Sequence, residues 1–175
     1  VARITSDTLG IRPRHFAMMS GSPVVFGDGG AVRLSDGSSV VSCEGEVTGI
    51  SNTMSNGIVY AKNRRLYSSN ANTFLGSATE IFALSEEANA PIGTLVFVRS
   101  IEGKTEVGLM SGELKEIGAL CKVTIDGNYQ DILVHGSRVY VVTDKGVNVL
   151  GVSPKEMRLL QNFPIEAVRS IGIVA

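Results

Sequence analysis

Few side chains in this sequence have the type and spacing that chemistry needs. His15 and His135 are the only histidines. Each sits at the end of an apolar run, and no His or Cys partner lies at metal-ligand spacing, so a zinc site lacks its third and fourth ligands. Serines are plentiful, yet no Gly-x-Ser-x-Gly elbow occurs to raise one as a nucleophile. Ser20-Gly21-Ser22 reads as a turn. Gly27-Asp28-Gly29-Gly30 has the glycine content of a phosphate cradle. It lacks both the Lys-Ser/Thr of a P-loop and the following helix of a dinucleotide loop.

Asp28, Asp36, Asp126, Asp131 and Asp144 all fall in turn-like stretches. Their spacing does not match a calcium loop, and the expected role is turn capping through the side chain. Arg12, Arg14 and His15 surround Pro13 and read as a solvated loop. One basic–aromatic cluster stands out. Lys62, Arg64 and Arg65 lie between Tyr60 and Tyr67, a pattern that suits stacking and phosphate contact with single strands. Against this reading, the cluster is short and the net charge is −1, whereas such binders carry a broad basic field.

The elements that must position these residues announce themselves by repetition. Val24-Val25-Phe26, Ile58-Val59-Tyr60, Leu95-Val96-Phe97 and Arg138-Val139-Tyr140-Val141 are copies of one phrase. The steps from Phe26 to Tyr60 to Phe97 to Tyr140 are 34, 37 and 43 residues. Turn signals separate short alternating runs around each copy: Gly27–Gly30 and Asp36-Gly37, then Asn56-Gly57 and Lys62-Asn63-Arg64, then Glu102-Gly103, then Gly136-Ser137 and Asp144-Lys145-Gly146. Each unit therefore reads as three or four short strands. Two segments read differently. Ser153-Pro154-Lys155-Glu156 is a capping box with proline at the first helical position, which predicts a turn or two of helix over Pro154–Gln161. Thr79–Ala90 is rich in helix formers.

A period of this length in strands alone points to radial repetition of small sheets. A sheet covered on both faces needs middle strands that are apolar on both faces, and such strands read as continuous aliphatic–aromatic runs. On Met18–Leu34, Met54–Tyr67, Leu95–Met110 and Ile132–Leu150 the chain resembles the β-propeller superfamily, over about residues 15–175. The Trp-Asp ending of WD40 repeats is absent, since there is no tryptophan. The kelch double glycine occurs once, at Gly29-Gly30. The expected fold is one all-β domain over 1–175, complete or a piece of a longer chain, with four blades and a partial fifth starting near Ala167. Three closures satisfy it: Val1–Thr5 completing the last blade, further blades in a longer chain, or a second chain. A β-sandwich or barrel is the rival architecture.

Composition narrows the function classes. The chain has 175 residues, 43% of them hydrophobic and 19% charged, enough to close a core. The weak charge gives no field toward nucleic acid or an anionic membrane, and no apolar run approaches a membrane span. Cys43 and Cys121 read as buried free thiols of a reducing, cytoplasmic compartment. The expected function is a non-catalytic interaction module with a protein partner or a second copy, and no cofactor or metal. The alternative is an enzyme or small-ligand domain whose polar site lies in a central channel built from Asp28, His135 and Asp144.

Overall fold

The structure is a computed structural model and describes residues 9–52, 57–69, 83–86, 94–111, 119–153 and 156–172. Val1–Thr5, Thr73–Leu75 and most of Thr79–Ala90 lie outside the described residues. The described elements are thirteen strands: β1 Arg12–Met19, β2 Ser22–Arg33, β3 Ser39–Asn52, β4 Ile58–Lys62, β5 Arg65–Ser68, β6 Ala83–Glu86, β7 Thr94–Ile101, β8 Lys104–Ser111, β9 Ala119–Asp126, β10 Tyr129–His135, β11 Arg138–Thr143, β12 Gly146–Ser153 and β13 Glu156–Phe163. They pair antiparallel in sequence order as β1 to β5, β6 to β9 and β10 to β13.

The five-stranded array is two sheets that share β3. The first half of β3 pairs with β2, from Asp28↔Glu46 to Val32↔Ser39. Its second half pairs with β4, from Val47↔Lys62 to Asn52↔Ile58. The switch falls beside Gly45, which has φ 92. β2 also doubles back on itself. The Leu34 amide donates to the Pro23 carbonyl at 2.9 Å, whereas an extended run between them would span roughly 35 Å. The reversal lies at Asp28-Gly29-Gly30, where the two glycines have φ of 97 and 133, values open to glycine without a steric cost. The chain thus forms four small sheets: β1 with the two arms of β2 and early β3; late β3 with β4 and β5; β6–β9; and β10–β13. Every copy of the repeated phrase is the second strand of its sheet.

Alternation along those strands explains why the phrase recurs. Successive side chains point to opposite faces, and each of the two inner sheets has a neighbour on each face. Val24, Phe26, Ala31 and Val41 of the first sheet pack on Ile50 and Tyr60 of the second. Val59, Ala61 and Leu66 of the second pack on Leu95, Phe97 and Met110 of the third. Val96, Val98, Val107 and Leu109 of the third pack on Val139, Val141 and Leu150 of the fourth. Leu95-Val96-Phe97-Val98 is consequently buried at four successive positions. One expectation changes here. The aromatics do not mark equivalent positions: Phe26 and Tyr60 meet in one interface, Phe97 fills the next, and the third is aliphatic apart from Met157 and, at its margin, Cys121 and Tyr129.

Both helical expectations are corrected where the residues are described. Glu156–Gln161 lies within β13, paired with β12 from Ser153↔Glu156 to Val147↔Phe163. The capping signal loses to the open edge of β12, whose amides and carbonyls need partners, and to burial of Met157 against Val152. Ala83–Glu86 is β6, paired with β7 from Ala83↔Val98 to Glu86↔Leu95. There the same demand, from the edge of β7 with its buried Leu95–Val98, overrides weak local propensity. In the tail, residues 168–172 form no strand. Their tie to the body is the Ile171 amide, which donates to Asp131 Oδ2 at 3.0 Å.

Gly108 shows how tightly the third sheet packs its own strands. It pairs with Phe97, and a Cβ built on it would stand 2.6 Å from the Phe97 ring and 2.7 Å from the Cys121 carbonyl oxygen. Gly108→Ala should destabilise the chain by about 1–3 kcal/mol through overpacking, read as a lower denaturation midpoint. An exposed control, Gly103→Ala, meets nothing within 4 Å but carries φ 78, so it reports backbone strain alone.

Candidate functional site

Asp28, His135 and Asp144 do not converge. Asp28 sits at the tip of the β2 reversal. Its Oδ2 accepts from Arg14 Nε at 3.1 Å and Nη2 at 3.0 Å. Arg14 Nε also lies 3.7 Å from Glu46 Oε1, and His15 Nε2 lies 3.3 Å from the same oxygen with its ring stacked on Phe26 at 5.3 Å. The two carboxylates hold the Arg14 guanidinium still more firmly protonated, Asp28 above all. This is a half-exposed ion cluster at a sheet end, of a kind that contributes little to stability.

His135 and Asp144 occupy opposite ends of the fourth sheet. His135 is exposed where β10 turns into β11 and pairs with Arg138. Asp144 follows the other end of β11, so roughly 20 Å of strand separates them. Asp144 is a latch. Its Oδ1 accepts the Asn128 backbone amide and its Oδ2 the Asn128 side-chain amide, both at 2.8 Å. These bonds hold its carboxyl below the ordinary value of 3.8. Asp36 is likewise lowered, by bonds from the Ser38 hydroxyl and amide at 2.7 and 2.9 Å. Turn capping is therefore what these two aspartates do.

The basic–aromatic cluster is split by burial. Asn63 and Arg64 both take positive φ, 50 and 61, the signature of a type I′ hairpin turn. This brings Tyr60 opposite Tyr67 with rings stacked at 5.6 Å. Lys62 Nζ lies 5.2 Å over the Tyr67 ring. Tyr60 is fully buried and cannot receive a base, which leaves Lys62, Arg64, Arg65 and one face of Tyr67 at the surface. Cys43 and Cys121 are free thiols in separate sheets, half-buried, with burial raising both. Among the described residues no three His, Cys, Asp or Glu side chains gather to hold a metal. No described helix is long and apolar enough to cross a membrane.

A cleft of about 170 Å³ lies on the fourth sheet, lined by Arg138, Gly151, Ser153, Glu156, Arg158 and Leu160 among others. Arg138, Gly151 and Arg158 form one rung across β11, β12 and β13. The space is smaller than an ordinary small-molecule site.

Two features were not visible in sequence. Glu106 is a buried carboxylate, 2% exposed, in the third sheet. Arg99 binds its Oε1 from β7, and Lys122 Nζ lies 2.9 Å from its Oε2 from β9. Only cross-strand register brings the three together; nothing in their spacing along the chain announces it. The second feature is a pair of apolar faces. The back of the first sheet carries Phe16 opposite Val25 and Met18 opposite Pro23, with Phe16 60% and Met18 53% exposed. The front of the fourth carries half-buried Tyr140 and Val147, with Leu160 41% and Phe163 40% exposed. The run His15-Phe16-Ala17-Met18-Met19 held a signal for the first face: its apolar residues occupy both faces of an end strand.

No family model matches the chain, and no curated protein matches it. Among solved structures, the Neurospora crassa Pan2 WD40 domain superposes with a TM-score of 0.56 at 12% identity, over 93% of this chain and 53% of that one. The AfRom2 CNH domain superposes with a TM-score of 0.50 at 13% identity, over 84% of this chain and 54% of that one. At such identities the likeness concerns the fold alone. The chain has a β-propeller-type fold, and it spans about half the length of these solved structures.

Three outcomes follow from the polar contacts. Glu106→Gln should cost about 1–3 kcal/mol, because Arg99 and Lys122 lose a charged acceptor; Arg99→Met should cost more than Lys122→Met, since Lys122 is the more exposed partner. Denaturant titration at neutral pH checks both. Asp144→Ala should lower Tm. Because the folded-state carboxyl is lowered, its stabilisation is present above the ordinary value of 3.8 and is lost as pH falls through the lowered one. The Tm gap between the native chain and Asp144→Ala should therefore close on acidification.

Proposed function

We propose that this chain is a non-catalytic propeller-type interaction module that binds protein through the outer faces of its end sheets. The observation that carries the reading is the exposure of Phe16 and Met18 on one face and of Leu160 and Phe163 on the other. Exposed large side chains clustered on a sheet face mark association surfaces. The propeller-type neighbours are consistent with an interaction role. The candidate channel residues support the rival enzyme reading poorly, since Asp28 is held by Arg14 and Asp144 by Asn128.

Hydroxyl-radical footprinting tests the proposal. In any assembly isolated with the native chain, Met18 and Phe163 should be protected several-fold relative to Ile101, an exposed side chain in the third sheet. Equal reactivity at all three positions, together with turnover in hydrolase or lyase screens of the pure chain, would overturn it.

A further inference from the structure

Three of the described hairpins share one two-residue turn, and one of them departs from the others in a way the fold does not need. Ser20-Gly21, Asn63-Arg64 and Glu102-Gly103 have φ of 49 and 76, 50 and 61, and 48 and 78. Glycine holds the second position in two of these turns, where a residue with a Cβ is disfavoured. The remaining turn has Arg64 there. The flanking pairs differ in the same direction. Met19 faces Ser22 and Ile101 faces Lys104, whereas Lys62 faces Arg65. Like charges directly opposite on neighbouring strands are destabilising. The β4–β5 hairpin therefore gives up stability twice, and each time the result is a further cation at its tip.

The strands of the second sheet offer nothing to answer this charge. From residue 47 to residue 79 the sequence contains no Asp or Glu, and its only cations are Lys62, Arg64 and Arg65. On the stretch of β3 that leads into the sheet, Glu46 is engaged by Arg14 and His15, and the exposed Glu44 can offset one charge of the three. Asn63, Arg64 and Arg65 are exposed, and Lys62 is half-buried with its ammonium held over Tyr67. That contact places one cation before any ligand arrives. Tyr60 stacks on the Tyr67 ring at 5.6 Å and Lys62 Nζ lies 5.2 Å from its centre. A nucleic-acid base would have to displace the ammonium, whereas a carboxylate would meet it directly.

We infer that the β4–β5 hairpin is a docking point for an acidic segment of a protein partner, whose side-chain carboxylates are held by Lys62, Arg64 and Arg65. Charge complementarity selects the occupant. Guanidinium and ammonium donors without an open ring suit carboxylates, while single-stranded nucleic acid needs stacking surfaces and a broad basic field. The hairpin belongs to an inner sheet and lies apart from Phe16, Met18, Leu160 and Phe163, so either surface can be lost while the other still binds.

Fluorescence anisotropy with a labelled hexaglutamate peptide tests this, with hexaglutamine and a short oligothymidylate as comparison probes. The native chain should bind hexaglutamate in preference to both, and less tightly as salt is raised. Arg64→Gly and Arg65→Gln should each weaken binding about two- to fivefold, the range of an exposed ion pair, and the double change should weaken it further. Lys104→Gln removes the same charge from the β7–β8 hairpin and should leave the affinity unchanged. Arg64→Gly should also raise the denaturation midpoint, because glycine takes a φ of 61 without strain; a purely structural role for Arg64 requires the opposite. Hexaglutamate held no more tightly than hexaglutamine would overturn the inference. So would equal losses from the changes at Arg64 and Lys104, or a lowered midpoint in Arg64→Gly. Tighter binding of the oligothymidylate would overturn it in favour of nucleic acid. Each of these failures leaves the protection of Met18 and Phe163 untouched, so the two surfaces are judged separately.

Discussion

The constraint on which this structure depends is that each small sheet is stable only when both of its faces are covered. A sheet of three or four short strands buries little by itself, and here each inner sheet has its strand residues shared alternately between two neighbours. Leu95 and Phe97 serve one interface while Val96 and Val98 serve the next. A strand built this way has no polar face to spare, which is why the repeated phrase is apolar at every position rather than at every second one. The same constraint makes the ends of the stack expensive. The first and fourth sheets each have one face with no neighbouring sheet among the described residues, and large apolar side chains stay exposed there, Phe16 and Met18 on the first and Leu160 and Phe163 on the fourth.

Polar residues fix how successive sheets meet. The connector at Gly127-Asn128, between β9 and β10, is held from both sides. Thr105 of the third sheet donates its hydroxyl to the Gly127 carbonyl at 2.8 Å. Thr143 of the fourth donates to the Asp126 carbonyl at 3.1 Å, and Asp144 takes both Asn128 donors. Thr105 and Thr143 are fully buried, so these bonds form where water cannot compete and where an unmade bond would be costly. Glu106 acts within one sheet, tying β7, β8 and β9 through Arg99 and Lys122. Hydrophobic burial thus supplies the stacking, while hydrogen bonds to loop carbonyls set its angle.

What was legible in the sequence follows from which signals are local. The strands, their hairpins and the fourfold phrase depend on neighbours along the chain. Asn63-Arg64, Gly29-Gly30 and Asp144-Lys145 all turn where turn chemistry places them. The reversal within the first unit was readable from Gly27–Gly30 alone. What failed was decided across strands. The capping box at Ser153–Glu156 is a true local helix signal, yet β12 offers a ladder that a helix could not complete. The tyrosines of the basic cluster looked like a stacking platform because their pairing with each other, not their spacing, decides which is buried. Asp28, His135 and Asp144 share only a residue class and a turn setting, and the strand lengths between them keep them apart.

The aromatic residues sharpen the point about the ends. Aligned by face rather than by residue type, Val24, Val59, Val96 and Tyr140 are equivalent, and the aromatic slips from Phe26 to Tyr60 to Phe97 to Tyr140 relative to that frame. An aromatic is needed only where the gap between two sheets exceeds what aliphatic side chains fill, and either sheet can supply it. The first interface takes Phe26 and Tyr60, one from each side. The second takes Phe97 over Gly108, a large residue fitted against the smallest. The third is closed by valine and leucine at its centre. Among the described residues no sheet faces Tyr140, yet it stands at the front position where Val24, Val59 and Val96 meet a neighbour. A tyrosine suits such a half-buried position, since its ring gains from burial and its hydroxyl tolerates water.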